Sequence, residues 1–179
     1  MKKAVLTLCL SLFALINYSQ VSLTVHVPSY GGFSDAFAVA GGDPNTVTDL
    51  TVTGYLQYTD LWYMRDNLTA LSVLDLGAVT VLNNEVPNSS MRDKTTLTEV
   101  ILPATATIIA SYAFDGCINL ASFTWPTSLD RIRSYSFQDC SSLTGTLTIP
   151  ETVTILEHRS FTGCSGITQI EFPETLRSI

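Results

Sequence analysis

The second half of the chain repeats itself, and a tandem repeat constrains the fold more than any composition could. Residues 97–179 divide into four segments that align with one another: LTEVILPATATIIASYAFDGCIN, LASFTWPTSLDRIRSYSFQDCSS, LTGTLTIPETVTILEHRSFTGCSG and ITQIEFPETLRSI. Proline recurs at Pro103, Pro126, Pro150 and Pro173, phenylalanine at Phe114, Phe137 and Phe161, and cysteine at Cys117, Cys140 and Cys164. Each series advances by 23 residues and then by 24, and the extra residue falls within the segment from Leu143 to Leu147. Three residue types that slip together define one structural unit, too short to bury an apolar face alone and therefore stacked on its neighbours.

The apolar positions keep the same period. Leu97, Leu120, Leu143 and Ile167 open the units, Val100, Phe123, Leu147 and Ile170 follow, and Leu102, Trp125, Ile149 and Phe172 precede the prolines. The alternation predicts a short strand with one buried face, which the proline ends because it has no N–H for the ladder. A second set, Ile109, Ile132, Leu156 and Ile179 with Leu129, Val153 and Leu176 before it, returns the chain across the core, and Ala106 is its weak member. Upstream the pattern is fainter. Val47, Leu50 and Val52, then Leu71, Leu74 and Leu76, repeat the strand spacing and extend the array to about six coils.

The composite motif, L-x-x-(I/V)-x-(I/L)-P followed by I-x-x-x-(A/S)-F-x-(G/D)-C-x-x-L, resembles the BspA-like leucine-rich repeat proteins of bacterial surfaces. The segment from Val86 to Leu97 departs from it, with Met91 in place of phenylalanine and Lys94 in place of cysteine. The resemblance implies a leucine-rich-repeat solenoid, a β-rich right-handed coil of short strands and turns. It also implies a secreted or surface-exposed module that binds host matrix proteins or other cells.

Residues 1–20 read as a secretory signal peptide: Met1-Lys2-Lys3 is basic and Ala4 to Ile16 is an apolar run too short to span a bilayer. Residues 21–70 are expected to form an N-terminal α/β cap with the first strand repeat, and residues 71–179 the array. The cap would contain a strand from Val21 to Val27, an Ala/Phe-rich stretch from Phe33 to Ala40, and a short helix capped by Asp60 running through Leu61 and Met64 to Arg65. Gly41-Gly42-Asp43-Pro44 is a turn, with no Gly-Lys-Ser or Gly-Lys-Thr to make it a phosphate loop.

Charge narrows the partners. Removal of Lys2 and Lys3 takes the formal charge from −7 to −9, and Lys94 is then the only lysine, so clustered phosphate contacts to nucleic acid are not expected. No transmembrane span is expected after signal removal, and no cofactor.

Three stacked thiols raise the question of redox or metal chemistry. Coils about 4.8 Å apart would bring Cys117, Cys140 and Cys164 into one column. They could be reduced and buried, one neighbouring pair could be bridged, or a metal could be held, although the Cys-x-x-Cys or histidine spacing of zinc sites is absent. Phe114, Phe137 and Phe161 read as core. His26 falls on a surface-facing strand position and His158 on a solvated turn, each without an evident partner. Carboxylates are spread over turns and strand edges, so no enzyme is expected. Asn67-Leu68-Thr69 and Asn88-Ser89-Ser90 fit a glycosylation triplet that carries little weight in a bacterial protein.

Strand residues between the buried ones face outward in two columns. One contains Asp49, Val73, Glu99, Ser122, Thr146 and Gln169, the other Thr51, Asp75, Ile101, Thr124, Thr148 and Glu171. This face is the expected ligand-binding surface, with a protein of the host extracellular matrix or a cell surface as its partner. Tyr112, Tyr135 and Arg159 mark a second surface on the turns. The alternative is a structural scaffold segment of a larger surface protein. The last unit stops at Ile179, before its aromatic and cysteine, so the open coil is expected to continue into a longer array or to self-associate.

Overall fold

The computed structural model describes residues 20–178, so the expected signal peptide, apart from Gln20, lies outside the described residues, as does Ile179. The chain winds as a solenoid in which each coil lays down a strand on one face; the first two coils return through a helix and the next four through a two-residue strand on the opposite side. In chain order the elements are β1 (Ser22–Val27), α1 (Phe33–Val39), β2 (Asp49–Leu56), α2 (Tyr58–Asn67), β3 (Val73–Val81), β4 (Glu85–Val86), β5 (Glu99–Ile101), β6 (Ile108–Ile109), β7 (Ser122–Thr124), β8 (Arg131–Ile132), β9 (Gly145–Thr148), β10 (Ile155–Leu156) and β11 (Ile167–Glu171).

All strand pairs are parallel. One sheet runs β1-β2-β3-β5-β7, a separate two-stranded sheet pairs β9 with β11, and a narrow back sheet runs β4-β6-β8-β10. Strand length follows from proline placement. Pro103 and Pro126 follow closely on β5 and β7, which have three residues each, whereas β2 and β3 meet no proline and continue for 8 and 9 residues. The back anchors seen in the sequence, Ile109, Ile132 and Leu156, are members of true strands, with Val86 pairing Ile109 at the start of that ribbon.

The core lies between the two ribbons. Leu50, Leu74 and Val100 enter it from the face, and Val86, Ile109 and Ile132 from the back, all buried. Val25 and Val27 of β1 are buried beside β2 in the same sheet, and Gly54 permits that approach: a Cβ there would stand 2.1 Å from the Val27 carbonyl oxygen, and its φ is +92°.

Helix α2 begins earlier than the sequence suggested. Gln57 is its N-cap and Asp60 occupies the third helical position, with Leu61 and Met64 turned into the core. Asp60 is a capping residue in a wider sense, because its carboxylate accepts the N–H groups of Gln57, Gly31 and Phe33.

Candidate functional site

The strand register brings the outward residues of the face into line. Asp49 pairs with Val73, Val73 with Glu99 and Glu99 with Ser122, and Thr51 pairs with Asp75, Asp75 with Ile101 and Ile101 with Thr124. Past a break in the sheet, Thr146 pairs with Gln169 and Thr148 with Glu171. Strand β1 lengthens both columns with Ser22, beside Asp49, and Thr24, beside Thr51, two positions that sequence spacing missed because the segment from Pro28 to Thr48, which contains α1, hides the period. The charged members of the two columns, Asp49, Asp75, Glu99 and Glu171, are all acidic.

Some of these carboxylates are already engaged. Asp49 accepts from Gln20 Nε2 at 2.6 Å, Asp75 accepts the Gly77 amide at 2.8 Å, and Glu171 accepts Thr148 Oγ1 at 2.8 Å. Such bonds fix side-chain direction while leaving the remaining lone pairs available to a partner.

The ladder breaks between β7 and β9, where the extra residue lies. Gly145 has φ +77°, and its amide turns to Gly166 O at 3.1 Å, toward the following coil. The sequence reading located the insertion, but nothing in residue spacing alone said that it would divide the sheet.

The turns form the second surface. Tyr112 and Tyr135 stack with ring centroids 4.9 Å apart and an interplanar angle of 3°. Arg92 lies over Tyr112 at 5.1 Å and Arg159 over Tyr135 at 5.8 Å, so cations close the stack at both ends. Arg92 was not singled out from the sequence, since it belongs to a different position of the repeat. Ser89, Tyr112, Tyr135 and Arg159 share a left-handed backbone with φ between 53° and 61°, one in each successive coil.

The histidines differ in their surroundings. His26 is exposed, with Nδ1 3.0 Å from Thr53 Oγ1. His158 Nδ1 lies 3.2 Å from Ser134 Oγ, and Glu157 Oε2 lies 2.9 Å from the same hydroxyl. The composition is that of a catalytic triad, but the order of contacts is not: the carboxylate engages the serine and does not orient the imidazole.

Cys117, Cys140 and Cys164 are free thiols in a buried column. Each Sγ faces a carbonyl one coil back: Met91 O at 3.0 Å, Phe114 O at 3.2 Å and Phe137 O at 3.0 Å. Burial pushes the Cys117 thiol up to about 12, and Cys140 is raised first by its hydrogen bond with the neighbouring Cys164 and then by burial. Cys164 is the more acidic of that pair, since the Cys140 S–H can turn to stabilise its anion. Among the described residues no cluster of three or more His, Cys, Asp or Glu side chains is arranged to hold a metal.

Lys94 replaces cysteine in the same column and is likewise buried. Its Nζ donates to the carbonyls of Arg65, at 3.1 Å, and Leu68, at the C-terminal end of α2. Burial lowers its pKa, opposed by the charge of Asp66. The aromatic column stacks Phe114 on Phe137 at 5.2 Å and Phe137 on Phe161 at 5.3 Å; Phe161 is only partly buried.

A family model described as the BspA type leucine rich repeat region matches residues 84–179 in six copies. A leucine-rich repeat protein from Bacteroides ovatus ATCC 8483 superposes with a TM-score of 0.58 at 19% identity, covering 87% of this chain. The T. pallidum leucine-rich repeat protein aligns over 89% of this chain and 73% of its own length, at 15% identity and a TM-score of 0.47. The chain spans about a third of the B. ovatus protein, 35% of its length. No curated protein matches.

Proposed function

The chain belongs to the BspA-type leucine-rich repeat family, and on that premise we propose that it is an exported, non-catalytic module that binds a protein partner through its parallel sheet face. The observation that supports this reading is the register of the two outward columns, in which Asp49, Asp75, Glu99 and Glu171 stand among hydroxyl side chains on a rigid surface. Rigid strands display side chains at little entropic cost, and a field of one sign favours encounter with a basic partner.

Export is supported by the basic start and apolar run of the first sixteen residues. No described helix is long and apolar enough to cross a membrane. Adhesion to host matrix or to cells follows from the character of the family, with residues 21–70 as the cap and 71–179 as the array. Phe172, 50% exposed, supports self-association of that end as a secondary property; unchanged sedimentation of Phe172→Glu at high concentration would remove it.

The test is capture of the chain by immobilised matrix proteins and by intact cells, compared with a variant carrying Glu99→Lys, Thr124→Ala and Glu171→Lys. Loss of capture in this variant, with capture retained in Tyr112→Ala, assigns binding to the sheet face. Equal capture by the variant and the parent overturns the reading, and no capture by any surface favours a scaffold segment.

A further inference from the structure

The break between β7 and β9 leaves hydrogen-bonding groups without the partners that the same positions have elsewhere. In the four preceding coils one carbonyl accepts two amides from the next coil: Val21 O from Thr48 and Asp49, Thr48 O from Ser72 and Val73, Ser72 O from Thr98 and Glu99, and Thr98 O from Ala121 and Ser122. Ala121 O is the next in this series, and among the described residues it accepts none. At the far end of the strand, Leu102 N–H bonds to Thr124 O and Ile149 N–H to Glu171 O, whereas Trp125 N–H has no such bond. The Trp125 indole takes its place, with Nε1 donating to Thr148 O at 3.1 Å.

The coils are therefore stitched together on both sides of an opening. Ser142 N–H bonds to Ile118 O at 3.2 Å before it, and the indole bond closes it after. The opening is a cleft of about 330 Å³ on the sheet face between β7 and β9, lined by Phe123, Leu147 and Ile167 on its apolar side and by Ser122, Thr146 and Thr148 at its rim. Phe123 is held there by Trp125, at 4.5 Å edge to face, and by Phe137, at 4.8 Å stacked, so the floor is aromatic and rigid. The back sheet runs through these same coils unbroken, which confines the opening to the face.

We infer that this cleft seats an apolar side chain of an extended, basic segment of the partner protein. Three observations determine that chemistry. The lining carries no charged side chain, and beneath its hydroxyl rim Phe123, Leu147 and Ile167 present an apolar floor, which an uncharged apolar side chain would cover. Ala121 O and Trp125 N–H offer an acceptor and a donor along a strand edge, the chemistry that recognises an extended backbone. Glu99, paired with Ser122, and Glu171, paired with Thr148, stand on opposite sides of the cleft, so cationic residues flanking the apolar one meet a carboxylate in either direction.

The inference rests on the protein-binding reading of the face and adds to it the seat and the chemical class of its ligand. Insertion of Gly145 is the structural cause. A Cβ at this position would meet nothing within 4 Å, so the glycine is not there to relieve crowding; its left-handed φ turns the amide away from β7.

The experiment uses the full chain and blocked peptides of sequence Thr-Lys-Phe-Lys-Thr, Thr-Lys-Ala-Lys-Thr and Thr-Glu-Phe-Glu-Thr, in which the residues beside the central one face outward with the carboxylates, with maltohexaose as the carbohydrate control, followed by NMR shifts of the backbone and indole N–H groups. The first peptide is expected to shift the amides of Ala121–Trp125 and Gly145–Thr148 and the Trp125 indole. Its alanine and glutamate twins should bind about tenfold more weakly, and added salt should weaken the first peptide as well. Deletion of Gly145 restores the 23-residue period and should abolish the shifts without lowering the melting temperature. If that variant fails to fold, Trp125→Leu decides, because Leu102 holds the equivalent position; it should lose about tenfold in affinity.

Equal binding of the three peptides, shifts confined to other residues, or a response to maltohexaose at these amides overturns the inference. Its failure is separable from failure of the face reading. If partner capture survives Gly145 deletion but not the Glu99→Lys and Glu171→Lys changes, the face binds and the cleft does not. Capture that survives every variant removes both.

Discussion

The carboxylate of Asp60 accepts the backbone N–H of Phe33 at 3.1 Å, which ties the start of α1 to the start of α2. The same carboxylate accepts Gln57 and Gly31 N–H groups, each at 2.9 Å, so one buried side chain satisfies donors at two helix starts. Alanine would leave these three donors without a protein acceptor, and asparagine would turn an NH2 donor toward some of them. Both Asp60→Ala and Asp60→Asn should lose about 2–4 kcal/mol in urea unfolding. Amide exchange should accelerate at Phe33 and Gln57 together. Acceleration at Gln57 alone would show that Asp60 serves only its own helix.

Lys94 plays a comparable part at the other end of α2. Its ammonium is a positive charge at the negative end of the helix dipole and reaches carbonyls that a cysteine side chain at this position would not. Lys94→Met keeps the buried stem and removes the donor, and should cost about 1–3 kcal/mol. Lys94→Cys, which restores the repeat motif, should be at least as damaging. A stable Lys94→Cys variant would mean that the helix end is satisfied without the ammonium.

This pair explains how far the sequence could be read. The repeat period specified the coils, the two outward columns and the buried Phe and Cys positions, because stacking imposes the same environment on each unit. Where a coil meets something other than another coil, the period carried less information. Lys94 could be seen only as a mismatch with its column, since the helix it serves is 26 residues away at Leu68. Asp60 was visible as a cap for α2 but not for α1, whose N–H groups reach it across 27 residues. The cleft beside Gly145 was visible as one extra residue, and its consequence depends on hydrogen bonds that spacing does not encode.

The thiol column gives a pH dependence whose sign follows from burial. Cys117 is raised from an ordinary 9.0 to about 12 in the folded chain, so its contribution to stability is fully present below pH 9 and is lost as pH rises toward 12. Stability should therefore fall above pH 9, with a limiting slope of about 1.4 kcal/mol per pH unit for each such thiol. Cys117→Ser and Cys117→Ala variants should flatten this decline. At pH 8 a thiol reagent should modify Cys117, Cys140 and Cys164 slowly in the native chain and rapidly in urea; rapid native labelling of Cys117 would contradict the burial.

Phenylalanines at the same repeat position should differ in worth. Phe137 is packed between Phe114 and Phe161 and also touches Phe123 and Trp125, with no exposed surface. Phe161 has a partner on one side and is partly exposed. Phe137→Ala should cost about 3–5 kcal/mol and Phe161→Ala markedly less, measured by denaturant midpoints. Equal costs would mean that the far side of Phe161 is covered in solution, and concentration dependence of the midpoint would identify a second molecule as the cover.

Ser136 offers a substitution that should stabilise. Its side chain is fully buried and its Oγ has no hydrogen-bond partner, while the serine hydroxyls at the equivalent position in two other coils are bonded: Ser90 to Ala113 O and Ser160 to Glu157 O. The repeat supplies the replacement, because the remaining equivalent, Ala113, carries only a methyl group and is just as buried. Removing an unsatisfied hydroxyl recovers its desolvation cost, about 1–3 kcal/mol, less the small void left by one oxygen. Ser136→Ala should therefore raise the melting temperature, with the cleft and the outward columns of the face unchanged. A lower melting temperature would mean that a bound water satisfies the hydroxyl, and the same variant would then lose a buried water from its crystal structure.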